Sequence, residues 1–210
     1  MENEKRVAAE AAAELVQPGM LVGLGTGSTV AYLLPALARR ALDIRCVATS
    51  PATETAARAL GLAIEPFEGI AQLHIAIDGS DQVDPSGWLV KGGGGAHTRE
   101  KIVAAAAEHF VVIVSSNKMV EALGPPVPLE LLGFGLASTL QALPEATLRD
   151  APPTPDGGVL ADYHGPVADP AALASRLAAV PGLVSHGLFP PAMVGTVLIG
   201  RGDQVETRRL

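Results

Sequence analysis

Cysteine and aromatic residues are scarce in this sequence of 210 residues, and their scarcity excludes several classes of protein. The single cysteine, Cys46, has no second cysteine to pair with, so no disulfide framework stabilises the fold. Its place in the apolar run IRCVAT predicts a buried strand residue rather than a reactive thiol. Aromatic residues make up only 3% of the chain, which argues against stacking platforms for nucleic-acid bases.

Positive charge and long apolar runs are also scarce. The chain has 15 Lys and Arg against 22 Asp and Glu, and nucleic-acid binding depends on many contacts from basic side chains to phosphates. No apolar run reaches the roughly 20 residues that a membrane-spanning helix needs. The acidic start MENEKRVAAEAAAELV is unlike a secretory signal. We therefore expect a cytoplasmic protein with no nucleic-acid partner and no membrane partner.

What the sequence does contain is a series of short apolar segments that alternate with helical patterns: MLVGLG, DIRCVAT, LHIAID and HFVVIVSS. Strands that are apolar throughout are usually buried on both faces, which favours a parallel sheet covered by helices. A first helix is predicted from a cap at Asn3 to about Val16, with Val7, Ala11 and Leu15 on one face. The pattern predicts an α/β fold with a mostly parallel sheet and helices on both faces.

The composition changes at LGPPVPLELLGF, where three prolines in four residues predict a stiff connection. The shorter helical and strand patterns that follow are typical of a small α+β domain. Near the end, the apolar VGTVLIG is expected to return to the main sheet as its last strand. The predicted division is a larger domain of residues 1–126 and 196–210, and a small α+β domain of residues 127–195.

The segment GLGTGSTV joins a predicted strand to a predicted helix, where unpaired amides at the helix N-terminus attract anions. Gly25 and Gly27 allow a ligand to approach the backbone closely. Hydroxyl groups are supplied by Thr26, Ser28 and Thr29. The segment matches neither GxxxxGK[ST] nor GxGxxG, so it does not indicate a nucleotide site. A tight turn capped by Ser28 explains the same residues without a ligand.

Three carboxylates follow the next apolar strand in DGSDQVDP: Asp78, Asp81 and Asp84. Ligands of open α/β sheets gather at strand ends, so these carboxylates are candidates for acid–base chemistry or metal binding. A turn rich in Asp, Gly and Ser is the alternative explanation. We expect no metal, because none of the five histidines is spaced as a ligand with another.

A third polar segment, KGGGGAHTREKIV, places a lysine and four glycines before a helix. Such a loop can surround a developing oxyanion with the ammonium of Lys91 and several amides, while Glu100 nearby moves a proton. The alternative is that Glu100 only complements the helix dipole. In VSSNKMV, Lys118 lies just past a strand, as a surface residue or as a contact to an anion.

In this order, GLGTGSTV, DGSDQVD, KGGGGAHTREKIV and SSNK resemble ribose-5-phosphate isomerases of the A type. The match continues through VPLEL, YHGPVADP and PGLVSHGLF to LIG, so it covers nearly the whole chain. The resemblance implies a Rossmann-like catalytic domain and an enzyme that interconverts ribose 5-phosphate and ribulose 5-phosphate in the non-oxidative pentose phosphate pathway. It also implies an enediolate intermediate, no metal, no cofactor, a small sugar phosphate as ligand, and a homodimer or homotetramer.

The resemblance implies a role for individual residues. Glu100 matches the general base that moves a proton between carbons 2 and 1. Asp81, with Asp78 beside it, matches the group that helps open the furanose ring, and Lys91 matches the oxyanion contact. The substrate-binding positions implied are Thr26, Gly27, Ser28, Thr29, Asp78, Gly79, Ser80, Asp81, Lys91, Gly92, Gly93, Gly94, Lys118 and Lys5.

The sequence departs from the family pattern at several places. Ser80 and Gln82 stand where an alanine and a glutamate are usual, and His97 stands where an apolar residue is usual. Ser115 replaces a common acidic residue, which weakens the assignment of the lysine that follows in SSNK. Residues 132–155 depart most. None of these differences removes a carboxylate or lysine to which the resemblance assigns a role.

Two other functions fit the same segments. A sugar-phosphate sensor of a transcription regulator would bind the ligand without converting it, and it would need a DNA-binding module for which the acidic N-terminal helix leaves no room. An acyltransferase acting on coenzyme A would use a glutamate as nucleophile. Incubation with ribose 5-phosphate, followed by measurement of ketose formation, distinguishes the three functions.

Overall fold

The computed structural model describes residues 1–210, and the chain forms two compact units. The first unit comprises Met1–Ser80, Arg99–Met119 and Ala192–Leu210, and the second comprises Asp81–Thr98 and Val120–Pro191. In chain order the elements are α1 (Glu2–Ala13), β1 (Leu21–Leu24), α2 (Val30–Arg39), β2 (Arg45–Ala48), α3 (Pro51–Ala59), β3 (Ala63–Ile64), β4 (Ile75–Asp78), β5 (Gln82–Val83), β6 (Leu89–Val90), α4 (His97–Ala106), β7 (Phe110–Ser115), β8 (Val127–Leu131), α5 (Leu136–Gln141), β9 (Ala146–Leu148), β10 (Val159–Tyr163), α6 (Pro170–Ala178), β11 (Leu183–His186), β12 (Leu188–Phe189), β13 (Thr196–Arg201) and β14 (Gln204–Arg209).

The first unit is built on a seven-stranded sheet in the order β14-β13-β7-β4-β1-β2-β3. All neighbouring strands are parallel except β13 and β14. Every residue of β1, β4 and β7 is buried, as their apolar sequences predict for strands covered on both faces. The predicted α/β fold with a mostly parallel sheet is confirmed.

The order of these strands reverses beside β1. The chain passes from β1 to β2 and β3 on one side, and then returns to place β4 on the other side of β1. Loops that leave the carboxyl ends of two strands on either side of such a reversal diverge and leave a crevice, where ligands of open α/β sheets bind. The loops after β1 and β4 are GTGST and GSD, two of the segments singled out in the sequence.

The buried face of α1 differs from the prediction. The helix ends at Ala13 rather than Val16, Leu15 is 41% exposed, and the fully buried residues are the alanines Ala8, Ala9, Ala12 and Ala13. Small side chains allow the helix backbone to lie close to the sheet: a Cβ at Gly200 of β13 would lie only 2.0 Å from the carbonyl oxygen of Glu4. Close packing of alanines against the sheet therefore outweighs the larger apolar side chains.

The last strand of the sheet was not predicted. VGTVLIG does return to the main sheet as β13, parallel to β7, but the polar segment QVETRR continues as β14 along the whole of β13. A turn at Gly202, with φ of 61°, joins the two strands. An exposed edge strand needs no apolar run, so hydrophobic periodicity gives no signal for it.

The second unit contains two small antiparallel sheets and helices α5 and α6. One sheet has the order β11-β8-β10-β9, and the other has the order β12-β6-β5. The segment VPLEL, predicted as part of a stiff connection, is the interior strand β8, and all five of its residues are buried. Pro128 is tolerated near the start of this strand, where its carbonyl oxygen accepts a hydrogen bond of 2.7 Å from the amide of Gly187.

Two further expectations concern the burial of Cys46 and the presence of membrane-spanning helices. Cys46 is buried in β2, as predicted, and burial raises the pKa of its thiol to about 12, so it is not a nucleophile at neutral pH. No helix combines the length and the apolar character needed to cross a bilayer.

The close approach of α1 to β13 leads to a testable prediction. We expect Gly200→Ala to lower the free energy of unfolding by about 1–3 kcal/mol, because the added methyl group overlaps the backbone of Glu4. Gly133→Ala is the matched control, since a Cβ there meets no atom within 4 Å. Urea unfolding of both variants tests the prediction, and equal stability of the two would contradict it.

Candidate active site

The loop GTGST between β1 and α2 is shaped by the carboxylate of Asp78. The amide of Gly25 donates to the carbonyl oxygen of Ile77 at 2.9 Å, and the amide of Thr26 donates to Asp78 Oδ1 at 3.1 Å. A Cβ at position 25 would lie 1.9 Å from the same Oδ1 atom, so only glycine fits there. Asp78 is 3% exposed, and its Oδ1 also accepts from the amide of Gly79 at 2.7 Å. One carboxylate thus joins the loops after β1 and β4.

A cluster of hydroxyl groups that the sequence did not indicate surrounds Thr26. Its Oγ1 atom lies 2.8 Å from Thr49 Oγ1, donates to Ser50 Oγ at 2.8 Å and lies 3.2 Å from Thr53 Oγ1. Thr49 and Ser50 directly follow β2, so a third loop at the carboxyl edge of the sheet contributes to the site. A signal was available in ATSPAT, where hydroxyl residues come immediately after an apolar strand.

The rest of the GTGST loop has the features of an anion site. Gly27 has φ of 124° and is exposed, as is Ser28. The N-cap of α2 is Thr29, and no side chain caps the helix, so the alternative explanation of a turn capped by Ser28 is wrong. The first amides of α2 therefore meet no side-chain acceptor, and a helix N-terminus in that state favours negative charge.

Glu100 lies in the first turn of α4 and is 5% exposed. It lines a narrow recess together with Gly25, Thr49 and Asp78, all of which belong to the first unit. A glutamate that served only the helix dipole would gain nothing from burial, which is costly for a carboxylate. The structure therefore brings Glu100 together with the residues that follow β1, β2 and β4.

Asp81 and the glycine loop meet within the second unit. The amide of Gly93 donates to Asp81 Oδ2 at 2.8 Å, and the amide of Asp81 donates to the carbonyl oxygen of Val90 at 2.9 Å. Asp84, by contrast, accepts from the amides of Ser86 and Trp88, each at 2.9 Å. The turn explanation is therefore right for Asp84, whereas Asp81 is directed to the loop after β6.

At three of the four positions after Lys91, a neighbouring side chain leaves little room for a residue larger than glycine. Gly92 has φ of 103°, and a Cβ there would lie 2.7 Å from the side chain of His97. A Cβ at Gly93 would lie 3.0 Å from Asp81 Oδ1, and one at Gly95 would lie 2.6 Å from Leu160. Gly94 has free space around it and is exposed. The loop is therefore confined by its neighbours on most sides and open at Gly94.

Lys91 is buried despite its charge, with 2% of its surface exposed. Its Nζ atom lies 5.5 Å from the centre of the Phe189 ring, a distance at which a cation interacts with an aromatic face. Its backbone amide donates to Gly187 at 2.8 Å. Burial of an ammonium is costly unless partners compensate its charge, so the position of Lys91 differs from that of an ordinary surface lysine.

The two other lysines of interest lie in the first unit. Lys118 ends the 3₁₀ turn Ser116–Lys118 that follows β7, at the same edge of the sheet. Lys5 of α1 pairs with Glu2 at 2.6 Å. Glu4, which the sequence did not single out, accepts from the amide and hydroxyl of Ser116 at 3.2 and 2.9 Å. Hydrogen bonds from the amide of Gly202 and the hydroxyl of Ser116 lower the pKa of Glu4, so this link between α1 and the turn stays ionised at neutral pH.

Arg149 is a further residue that the sequence did not indicate. It follows β9 in the part of the chain that departs most from the family pattern, and its Nη1 atom donates to the carbonyl oxygens of Gly92 and Gly93 at 2.9 and 3.2 Å. No local motif marks this arginine, because its partners are more than 50 positions away in the chain.

The chain is similar to known proteins in both sequence and structure. The family model described as ribose 5-phosphate isomerase A (phosphoriboisomerase A) matches residues 45–204. The ribose-5-phosphate isomerase A of Caulobacter sp. (strain K31) is 44% identical over 214 residues, covering 93% of this chain and 95% of the relative. The ribose 5-phosphate isomerase A of Methanocaldococcus jannaschii superposes with a TM-score of 0.92 at 32% identity over 98% of each chain.

A D-ribose-5-phosphate isomerase solved in complex with phospho-erythronic acid is also similar, with a TM-score of 0.92 and 29% identity over 98% of this chain and 97% of that one. The similarity in sequence and in structure thus extends over nearly the full length of this chain and of each of these relatives. The chain belongs to the ribose-5-phosphate isomerase A family.

Proposed function

We propose that this chain interconverts D-ribose 5-phosphate and D-ribulose 5-phosphate through an enediolate, with Glu100 as the base. Membership of the family supports the reaction. The observation that carries the assignment of the base is the burial of Glu100 in a recess with Gly25, Thr49 and Asp78. A proton-transfer group works best when it is held out of bulk water and close to the donors that bind its substrate.

The phosphate is proposed to bind at the N-terminus of α2, on the loop of Thr26, Gly27, Ser28 and Thr29. The uncapped amides, the hydroxyl groups and the helix dipole all favour an anion at this place. Lys118 and Lys5 supply positive charge on neighbouring elements, and Glu4 holds the turn before Lys118 against α1. Gly79 and Ser80 complete the contacts after β4.

Ring opening is assigned to Asp81. The furanose opens when the hydroxyl group on carbon 1 loses its proton and the bond between carbon 1 and the ring oxygen breaks. Protonation of the ring oxygen then gives the hydroxyl on carbon 4, and carbon 1 becomes the free aldehyde. Asp81 accepts one hydrogen bond, from Gly93, on Oδ2. Asp78 uses Oδ1 to hold the backbone of Thr26 and Gly79, so we assign it mainly to shaping the sugar contacts rather than to moving protons.

Isomerisation then follows in two proton transfers at carbon. Glu100 removes the proton from carbon 2, and the electrons of that bond form the double bond between carbons 1 and 2 while the aldehyde oxygen becomes an oxyanion. Lys91 and the amides of Gly92 and Gly94 stabilise this charge, while the amide of Gly93 holds Asp81 beside the loop. The hydroxyl proton passes from oxygen 2 to oxygen 1, and Glu100 returns its proton to carbon 1, which leaves the ketone at carbon 2.

The proposal extends to the domain organisation and the assembly of the chain. Residues 1–126 and 196–210 are proposed as the catalytic domain, with 127–195 as the small domain. The two compact units support this division except that residues 81–98 and 120–126 group with the second unit and residues 192–195 group with the first. We further propose a cytoplasmic homodimer or homotetramer that needs no metal, with a sugar phosphate as its ligand and no nucleic-acid or membrane partner.

Replacing the base tests the assignment most directly. We expect Glu100→Gln to lower kcat by roughly 10²- to 10⁴-fold, the usual contribution of a general base, because the amide cannot accept the proton. Binding of the unreactive ligand phospho-erythronic acid, measured by calorimetry, should stay within about threefold, because the phosphate site is unchanged. Glu108→Gln, an exposed glutamate just after α4, is the control. Turnover by Glu100→Gln close to that of the control would refute the proposal.

Removing the buried ammonium tests the oxyanion site. We expect Lys91→Met to lower kcat by roughly 10²- to 10³-fold, the usual cost of losing one oxyanion donor, because an apolar chain of similar length keeps the packing against Phe189 but carries no charge. The measurement is the initial rate of ketose formation at saturating ribose 5-phosphate. A variant with wild-type kcat would show that Lys91 does not stabilise the enediolate.

A chelator tests the proposed independence from metals. Proton transfer by Glu100 and charge stabilisation by Lys91 require no Lewis acid, so dialysis against EDTA should leave kcat unchanged. Loss of activity that added divalent cation restores would require a different mechanism.

A further inference from the structure

A charged side chain outside the proposed catalytic residues contacts the backbone of the glycine loop. We infer that Arg149 is a positioning residue that orients the peptide groups of Gly92, Gly93 and Gly94, and that Asp162 in turn holds Arg149 in place. This inference rests on the proposed role of the loop as an oxyanion site. It adds a residue that acts through the loop and does not itself contact substrate.

Arg149 is held rigidly by the sheet on which it lies. Its amide donates to the carbonyl oxygen of Leu160 at 2.9 Å, which extends the pairing of β9 with β10 by one residue. The guanidinium then forms a two-pronged ion pair with Asp162 of β10, with Nε to Oδ2 at 2.8 Å and Nη2 to Oδ1 at 2.6 Å. Both side chains are less than one-fifth exposed. Paired hydrogen bonds of this kind fix the plane of a guanidinium as well as its position.

The remaining donor group of the guanidinium, Nη1, faces the glycine loop. It donates to the carbonyl oxygens of both Gly92 and Gly93, at 2.9 and 3.2 Å. Two consecutive carbonyl groups that converge on one nitrogen determine how the backbone between them turns. Lysine could not reproduce this arrangement, because a single ammonium cannot serve Asp162 in a two-pronged pair and two carbonyls at once.

Fixing these carbonyl groups also fixes the amides of the same two peptide groups, those of Gly93 and Gly94, and we place the amide of Gly94 in the oxyanion site. The only cis peptide bond in the chain is Pro125-Pro126, so both loop peptides are trans, with each amide hydrogen pointing opposite to the carbonyl oxygen of its own peptide group. The amides of Gly93 and Gly94 are therefore directed away from Arg149. The amide of Gly93 reaches Asp81 Oδ2 at 2.8 Å, and Gly94 is an exposed residue.

A glycine-rich loop needs such a support more than other loops do. Glycine loses more conformational freedom on folding than any other residue, so four in a row would sample many backbone states if nothing held them. Amides stabilise a transition state well only when they are oriented before the reaction begins. Positive charge beside the carbonyl oxygens also polarises each peptide group, which makes its amide a stronger donor.

The test compares Arg149→Ala with Arg176→Ala in the full-length protein. Arg176 belongs to the same unit and contacts Tyr163 rather than the loop, so it controls for the loss of an arginine side chain and its charge, although it is more exposed than Arg149. We expect Arg149→Ala to lower kcat by roughly tenfold or more and to leave KM within about threefold of wild type. The fall in kcat should be smaller than the roughly 10²- to 10³-fold fall caused by removing an oxyanion donor itself. Arg176→Ala should keep kcat within about threefold.

Chemical rescue separates positioning from folding. Guanidinium ion at millimolar concentration, far below denaturing levels, should restore part of the kcat of Arg149→Ala and none of any loss in Arg176→Ala, because it refills a site that Asp162 and the loop carbonyls still line. Arg149→Lys should recover less than half of the lost rate. If Arg149→Ala does not fold, Asp162→Asn replaces it: we expect a smaller fall in kcat at unchanged KM and melting temperature.

Two outcomes would overturn the inference. The first is a kcat within threefold of wild type for Arg149→Ala, or for Asp162→Asn if it is used instead. The second is a loss of rate that follows the unfolded fraction of the protein and does not respond to guanidinium. Lys91→Met distinguishes this failure from failure of the proposed function. If Lys91→Met is impaired while Arg149→Ala is normal, only the positioning role is wrong. If Lys91→Met is normal, the proposed role of Lys91 in stabilising the enediolate is wrong, whatever the result for Arg149→Ala.

Discussion

A single buried carboxylate, that of Asp78, joins the two loops on either side of the point where the strand order reverses. It accepts hydrogen bonds from the amides of Thr26 and Gly79, and it requires glycine at position 25. Because the loops after β1 and β4 would otherwise diverge, this interaction determines the shape of the crevice between them. The recess that Glu100 shares with Asp78 and Gly25 depends on it.

The second unit applies the same principle to a different loop. Here the charged groups are Arg149, which holds the carbonyl oxygens of the glycine loop, and Asp81, which accepts one of its amides. Both loops are therefore built from glycine but held by charged or polar side chains. Glycine permits the close approach, and the charge removes the freedom that glycine brings.

Sequence patterns predicted the elements whose environment is uniform. Strands β1, β4 and β7 are buried on both faces, so their apolar runs identify them directly. Patterns failed where the environment depends on a distant neighbour. The strand β8 contains a proline and was predicted as a connection, and the polar edge strand β14 gave no signal. The fully buried face of α1 consists of Ala8, Ala9, Ala12 and Ala13, and not of the predicted Val7, Ala11 and Leu15, because the sheet beneath the helix approaches so closely.

By itself the sequence determined the fold class, the parallel strands and the polar segments at their carboxyl ends, because hydrophobic periodicity and glycine-rich turns are local properties of the chain. The order of those segments carried the resemblance to the isomerase family. Only the tertiary structure decided that Asp84 belongs to its own turn, that Thr49 and Ser50 support Thr26, and that Arg149 holds the glycine loop. These contacts join residues from different loops and strands, and no local pattern encodes the distance between atoms that only folding brings together.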